Sequence, residues 1–428
     1  VIVRSAGALA LVLAVTAGAP VAPASAPAAT ALRYYAQDDA SAQLVGLQLS
    51  LDAGLDRQTD RQNGLAALTA ETVLATPVGG VALRDAVAAR GASITATVGT
   101  QYARFYLEGS PEAVAAAAEL TAHALAGPDI SNRTLAVARA VLRARIADNE
   151  TNPVAVGIAM LRESYYEGGA GLGTSGTLAT LANLGPDDVR AFIAATYRRA
   201  GATVTAVGRV TPEVTSAGSE LVAALGAGAL ARIDPSVRPI SENPKRIVTQ
   251  RDIGVPYVVL GFAAPDLGSK DFAAMLVLRS LISDVFDRQS ATTLPVYSRG
   301  VGALYNYDVK PASFDVYING GQIDPSQGLG SVDAVLRGIA TKPLTDVLLK
   351  RYRSSAHGEW VTEAVSLEDR AGELGTFLEL GVGPDYGATV LSAIDGVTGA
   401  DVQRVAKTYL SKYTLALVTP RDRPDHNG

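Results

Sequence analysis

The 428-residue chain contains no cysteine. Disulfides and thiolate metal sites are therefore excluded, and cysteine usage leaves the redox compartment open. Histidine is nearly as scarce. Only His123, His357 and His426 occur, far apart and in no spaced pair. A zinc site built on imidazoles would have to draw its ligands from these three over long range. No long basic tract occurs, and the formal net charge of −5 is spread over residues of both signs. Nucleic acid is not an expected partner. The Gly-containing loop after Tyr165-Tyr166 lacks the lysine that a phosphate loop needs, which excludes a nucleotide site of that kind. No Ser/His/Asp or Cys/His arrangement is readable. Trp360 is the only tryptophan, on a polar helix expected over 350–368, where packing is its expected role.

What is present begins with a leader-like segment. Arg4 supplies a positive start, Ala6–Val15 a short apolar run, and Pro20 and Pro23 interrupt any helix. Ala24-Ser25-Ala26 and Ala29-Thr30-Ala31 are both small-residue cleavage patterns, the second favoured because Pro27 follows the first. The apolar run falls short of the roughly 20 residues a membrane span needs. An export signal over 1–31, with a mature start near Leu32 and a periplasmic or secreted protein, is the expectation. An uncleaved anchor is the other reading.

The remaining length suffices for two sizeable cores. An apolar strand over Leu44–Leu51 leads through a polar loop, Asp52–Gln62, into Asn63–Pro77, NGLAALTAETVLATP. Leu65, Leu68, Thr72 and Leu74 give that stretch a helical period, and Pro77 stops it. A short helix follows over 81–90, then strand patterns over 92–100 and 102–107, then helices over 111–125 and 129–148. Pro235, Pro239 and Pro244 mark a linker over 230–245. Beyond it the plan repeats. Tyr257–Ala263 is a strand like Leu44–Leu51, and Asp271–Asp284 a helix like Gly64–Ala75. Gly399-Ala400-Asp401-Val402 and Thr408-Tyr409 echo Pro186-Asp187-Asp188-Val189 and Thr196-Tyr197, each before a closing strand. Internal duplication predicts an α+β protein of two similar domains, 32–229 and 246–420, each a mostly antiparallel sheet covered by helices, around a cleft. Residues 421–428 form a polar tail.

The strand–loop–helix opening resembles the start of the insulinase-like zinc peptidases, the pitrilysin and mitochondrial-processing-peptidase family. Their active members carry H-x-x-E-H inside G-x-A-H-x-x-E-H. Gly64, Leu65 and Ala66 keep that frame, but Ala67 and Ala70 stand at the first His and the Glu, and Glu71 at the second His. Alanine ligates nothing, and one carboxylate does not make the three protein ligands a catalytic zinc needs. The helix over 129–148 resembles the one that supplies the distal Glu ligand, yet it contains no Glu. Arg139, Arg143 and Arg145 give it a positive face, which is either solvated or stands in for metal charge. Glu71, Asp148 and Glu150 are the carboxylates on which a remade active site would draw.

The resemblance implies further roles. Thr95-Ala96 fall where the family has Asn-Ala on an edge strand that binds substrate backbone; a plain amphipathic strand is the equal alternative. Tyr297–Tyr307, YSRGVGALYNY, resembles a segment whose Arg and Tyr bind the substrate carbonyl across the cleft. That implies Tyr305 and Arg299 as contacts, with a packed strand Tyr and a solvated Arg as the alternative. The function implied is the non-catalytic subunit of an exported metallopeptidase. It would hold no cofactor, pair as a heterodimer with a zinc-bearing chain, and help bind a peptide or unfolded polypeptide. A scaffold protein of the same clam-shell fold in a non-proteolytic complex is the alternative.

Overall fold

The structure is a computed structural model that describes residues 33–231, 233–241, 245–290, 301–319 and 325–421, without the side chains of 287–290 and 325–331. The expected leader over 1–31, Arg299, His426 and most of the polar tail lie outside the described residues.

The first half runs β1 (Arg33–Asp38), β2 (Val45–Leu51), α1 (Leu65–Ala75), a small hairpin of β3 (Pro77–Val78) and β4 (Val81–Ala82), α2 (Leu83–Ala88), β5 (Ala92–Val98), β6 (Ala103–Gly109), α3 (Pro111–Ala126), α4 (Asn132–Thr151), α5 (Pro153–Tyr165), α6 (Leu178–Asn183), α7 (Pro186–Thr196), β7 (Ala202–Gly208) and α8 (Pro212–Ala223). The second half runs β8 (Lys245–Arg251), β9 (Tyr257–Ala263), α9 (Phe272–Ser290), β10 (Val301–Asn306), β11 (Ser313–Asn319), α10 (Pro325–Thr341), α11 (Asp346–Glu363), α12 (Leu367–Glu379), α13 (Tyr386–Gly396), α14 (Gly399–Tyr409) and β12 (Thr414–Pro420).

The repeat is visible strand by strand. One sheet has the order β1-β7-β2-β6-β5, and the other, read from its far edge, β8-β12-β9-β11-β10. In both, the first and last strands of the half pair in parallel, β1 with β7 and β8 with β12, and the remaining neighbours are antiparallel. The expected α+β fold of two mostly antiparallel sheets covered by helices is therefore what forms.

Each sheet presents its apolar face to its own helices. Val45, Leu47, Leu49 and Leu51 of β2 enter the first core with α1, α3 and α8 residues. Leu260, Phe262, Leu415 and Leu417 enter the second, where Phe272, Tyr305, Tyr307, Trp360, Phe377 and Tyr386 form an aromatic cluster. Trp360 is 3% exposed, stacked on Phe377, so packing is its role.

The opposite faces are covered by exchange. α12, from the second half, lies on β2 and β7 of the first sheet, and α5, from the first half, lies on β9 and β12 of the second. β2 and β7 are therefore buried on both faces although they alternate apolar with polar residues, VGLQLSL and ATVTAVG. The polar side is satisfied by α12: Gln48 Nε2 and Thr205 Oγ1 both donate to Ala371 O, at 3.2 and 2.9 Å. Small residues allow the approach. A Cβ on Gly375 would lie 2.8 Å from Gln48 Nε2, and one on Gly157 of α5 would lie 2.3 Å from Val259 Cγ2.

The polar helix expected over 350–368 ends at Glu363, and α12 starts at Leu367 behind a Ser366 N-cap that accepts from Asp369 N. The expected linker is pinned where it is described: Arg238 donates to Glu163 O and Tyr166 O at the end of α5, and Val237 bridges to Tyr166.

Beneath α5 lies Asp315 of β11, 4% exposed, accepting from Asn306 Nδ2 at 2.8 Å. Burial pushes its carboxyl up to about 7, against the opposing pull of the Asn306 bond and of Arg162. The native chain thus keeps a proton that the unfolded chain releases near pH 4, and stability falls as pH rises from about 4 to about 7. Asp315→Asn is expected to remove on the order of 2 kcal/mol of that fall. Urea unfolding at pH 5 and pH 8 measures it; a slope unchanged by the substitution refutes the assignment. Asp56 and Glu373, pushed up to about 7 by burial and by Asp52 and Glu363 respectively, retain part of the slope.

Candidate functional site

α1 begins at Gly64, whose φ of 94° a side chain would strain, and where a Cβ would lie 2.9 Å from Gly176 Cα. The helix is buried on almost every side, from Leu65 through Leu74. That placement makes Glu71, 2% exposed, a demanding residue: a carboxylate there has to be paired. Glu71 Oε1 accepts from Arg145 Nη2 of α4 at 2.6 Å, and Oε2 from Arg84 Nη2 of α2 at 3.0 Å. Both arginine side chains stay over 40% exposed, so the cations keep part of their hydration in making the pair.

The three arginines of α4 thus divide. Arg145 faces Glu71. Arg139 donates to Leu181 O of α6 and to Leu184 O just after it. Arg143 is exposed, as the solvated reading expects. The positive face of α4 serves the interior at two of its three positions.

Ala67 and Ala70 are 4% and 2% exposed and line, with Glu71, Arg145, Asp148, Thr95 and Ala96, a cavity of about 490 Å³. Glu150 is exposed on the last turn of α4. These donors do not fit a zinc ion. Two methyl groups offer no lone pair, the one facing carboxylate is already shared by two cations, and a guanidinium stands where a third ligand would approach. Among the described residues, no three His, Asp or Glu side chains gather as metal ligands.

Thr95 and Ala96 lie on β5, which among the described residues is an edge strand of the first sheet. β5 alternates strictly, with Ser93, Thr95 and Thr97 outward and Ile94 and Ala96 inward. An edge strand leaves a row of main-chain donors and acceptors open to an incoming strand. Thr95 Oγ1 donates to Glu368 Oε1 of α12 at 3.2 Å.

A second cavity, of about 460 Å³, lies between the first sheet and β10, an edge strand of the second sheet among the described residues. It is lined by Thr97, Arg104 and Tyr106 from one half, and by Arg279, Ala303–Asp308, Glu363, Glu368 and Glu373 from the other. Arg104 stacks 3.6 Å over Tyr102 and reaches Glu379 and Thr376 of α12, at 3.1 and 2.8 Å. Arg279 is gripped by Glu359 at 3.1 Å and Glu363 at 2.6 Å. Tyr305 lines this cavity, but its hydroxyl donates to Pro265 O and its ring packs on Phe272 at 5.1 Å. Burial pushes its phenol well above the ordinary range. Tyr305 is a packed strand residue at the cavity wall, and Arg299 lies outside the described residues.

The structure thus brings Ala67, Ala70, Glu71, Thr95 and Ala96 to one cavity and Tyr305 to the adjoining one. It adds Arg84 and Glu368, neither of which carries a local motif, and singles out Arg145 among the three arginines of α4.

Residues 183–355 match the family described as Peptidase M16 inactive domain. A comparison with curated proteins gives no match. Among solved structures, the chain is similar to a peptidase M16 inactive domain from Pseudomonas fluorescens (TM-score 0.79, 15% identity, 91% of this chain and 96% of that chain). It is also similar to a protease from Helicobacter pylori (TM-score 0.79, 16% identity, 91% and 97%). A third similar structure is a chain of complex III from Candida albicans (TM-score 0.74, 14% identity, 90% and 93%).

Proposed function

We propose that this chain, an insulinase-like (M16) protein of the inactive kind, is the non-catalytic subunit of an exported two-chain peptidase. It pairs with a zinc-bearing chain and offers β5 and the two adjoining cavities to an extended peptide. The observation that carries the reading is the Arg84–Glu71–Arg145 cluster beside Ala67 and Ala70: cations occupy the environment that hydrolysis would require a metal to fill. The open edge of β5 and its cavity support retention of peptide. The segment over 1–31 supports export, with a mature start near Leu32.

The purified chain is expected to hold less than about 0.1 zinc per polypeptide after dialysis and to cleave no peptide. Co-expression with a zinc-bearing relative from the same source should give a stable complex and cleavage. Stoichiometric zinc in the lone chain, or two chains that fail to associate, overturns the proposal. A second reading, a scaffold subunit, is favoured by the fold likeness to the complex III chain. It predicts that the chain is recovered from the exported fraction with a large non-proteolytic assembly.

A further inference from the structure

The two cavities meet at one place. Thr97 and Glu368 are the side chains that line both of them. Glu368 sits in the first turn of α12, and its one side-chain hydrogen bond among the described residues comes from the hydroxyl of Thr95. Among those residues no guanidinium or ammonium pairs with it. The cations on the cavity walls are spent elsewhere: Arg145 on Glu71, Arg104 on Glu379, Arg279 on Glu359 and Glu363. At the junction, Glu368 and the neighbouring Asp369 carry negative charge that none of these cations pairs with among the described residues. The same field acts on Tyr106, whose phenol is pushed up by burial and Glu108, with Glu368 and Asp369 adding to it.

Strand geometry ties this carboxylate to a peptide. Thr95 points outward on β5, with Ser93 and Thr97 two residues to either side. A segment added to β5 runs about 4.8 Å away and turns every second side chain to that same face. One of those side chains comes beside Thr95, and so beside Glu368. A neutral Thr hydroxyl is a weak partner for a carboxylate; an ammonium or guanidinium is a stronger one.

We infer that Glu368 is the specificity residue of the β5 site and selects an extended peptide with a Lys or Arg side chain opposite Thr95. The inference rests on the peptide-binding reading above and adds to it the chemical class of the segment bound.

The test uses the full chain and fluorescein-labelled decapeptides in which one lysine is moved stepwise along a neutral Ser/Thr/Val sequence, with the Gln peptide as reference. Fluorescence anisotropy is expected to show tighter binding of about fivefold or more for Lys over Gln, at alternate positions only. Glu368→Gln should abolish that preference, so that the Lys and Gln peptides bind alike. Glu368→Lys should reverse the preference toward a Glu-bearing peptide. Equal binding of Lys and Gln peptides by the unaltered chain, or a lysine preference that survives Glu368→Gln, overturns the role of Glu368 and leaves peptide binding standing. A chain that binds none of the peptides overturns both.

Discussion

Replacing Arg84 and Arg145 together by Ala is expected to destabilise the protein by about 3 kcal/mol, a large share of the roughly 5–15 kcal/mol that holds a typical domain folded. The cost falls on Glu71. At 2% exposure it cannot be rehydrated in place, and each guanidinium satisfies one of its two oxygens. Breaking a buried ion pair typically costs about 3–5 kcal/mol; the lower end applies because the arginine side chains are more than 40% exposed, so the pair is partly screened by solvent. Either single substitution leaves one cation in place and should cost about 1 kcal/mol, so the pair is more than additive. Adding Glu71→Leu to the double variant removes the stranded charge and should recover most of the loss. Urea unfolding of the four variants measures this. A double variant no worse than the sum of the singles would show that Glu71 is held by something other than its two arginines.

The second large effect concerns metal affinity. Ala67→His, Ala70→Glu and Glu71→His together restore the imidazole pair and the base on one helix face. Room exists, because positions 67, 70 and 71 all border the 490 Å³ cavity. Yet Arg145 would then be a cation without its carboxylate, reaching the position that the second imidazole now fills, where its guanidinium Nη2 lay 2.6 Å from Glu71. The three-site variant is therefore expected to bind zinc only weakly. Adding Arg145→Glu converts that repulsion into a third ligand and should tighten zinc binding by about a hundredfold or more. Competition against a chelator of known affinity reads this directly. Equal zinc affinity in the three-site and four-site variants would mean that α4 does not face the site as described.

The legible parts of the fold were those written in local pattern. β2, α1, β5, β6, β7, β9 and β12 each carry their own periodicity, and the second half repeats the first. The two helices that cross between halves, α5 and α12, are not legible in this way. Their caps are present, Asn152 with Pro153 and Ser366 with Asp369, but their packing faces are complementary to strands more than 90 residues away. A short apolar run such as VAVGIAM shows no more than that something covers it. The site divides the same way. That Ala67 and Ala70 supply no ligand follows from their chemistry alone. That Arg145, rather than Arg143, answers Glu71 depends on how α4 is rotated against α1. Tyr305 stands at the cavity, as the resemblance implies, while its hydroxyl is engaged with Pro265 O, a partner that only the tertiary arrangement supplies. Glu368 belongs to no motif and becomes visible only when two cavities are seen to share it.

The exchange of α5 and α12 limits how the molecule can move. Swinging one sheet away from the other about residues 233–241 would prise a helix off a foreign sheet at Gly157 and Gly375, where side chain and backbone are already in close contact, and would strip Gln48 and Thr205 of their acceptor. A chain laced in this way behaves as one stiff shell. In a two-chain enzyme, the gate for an incoming polypeptide would then be the seam between shells, and the strength of that seam, rather than any hinge within this chain, would set how fast substrate enters.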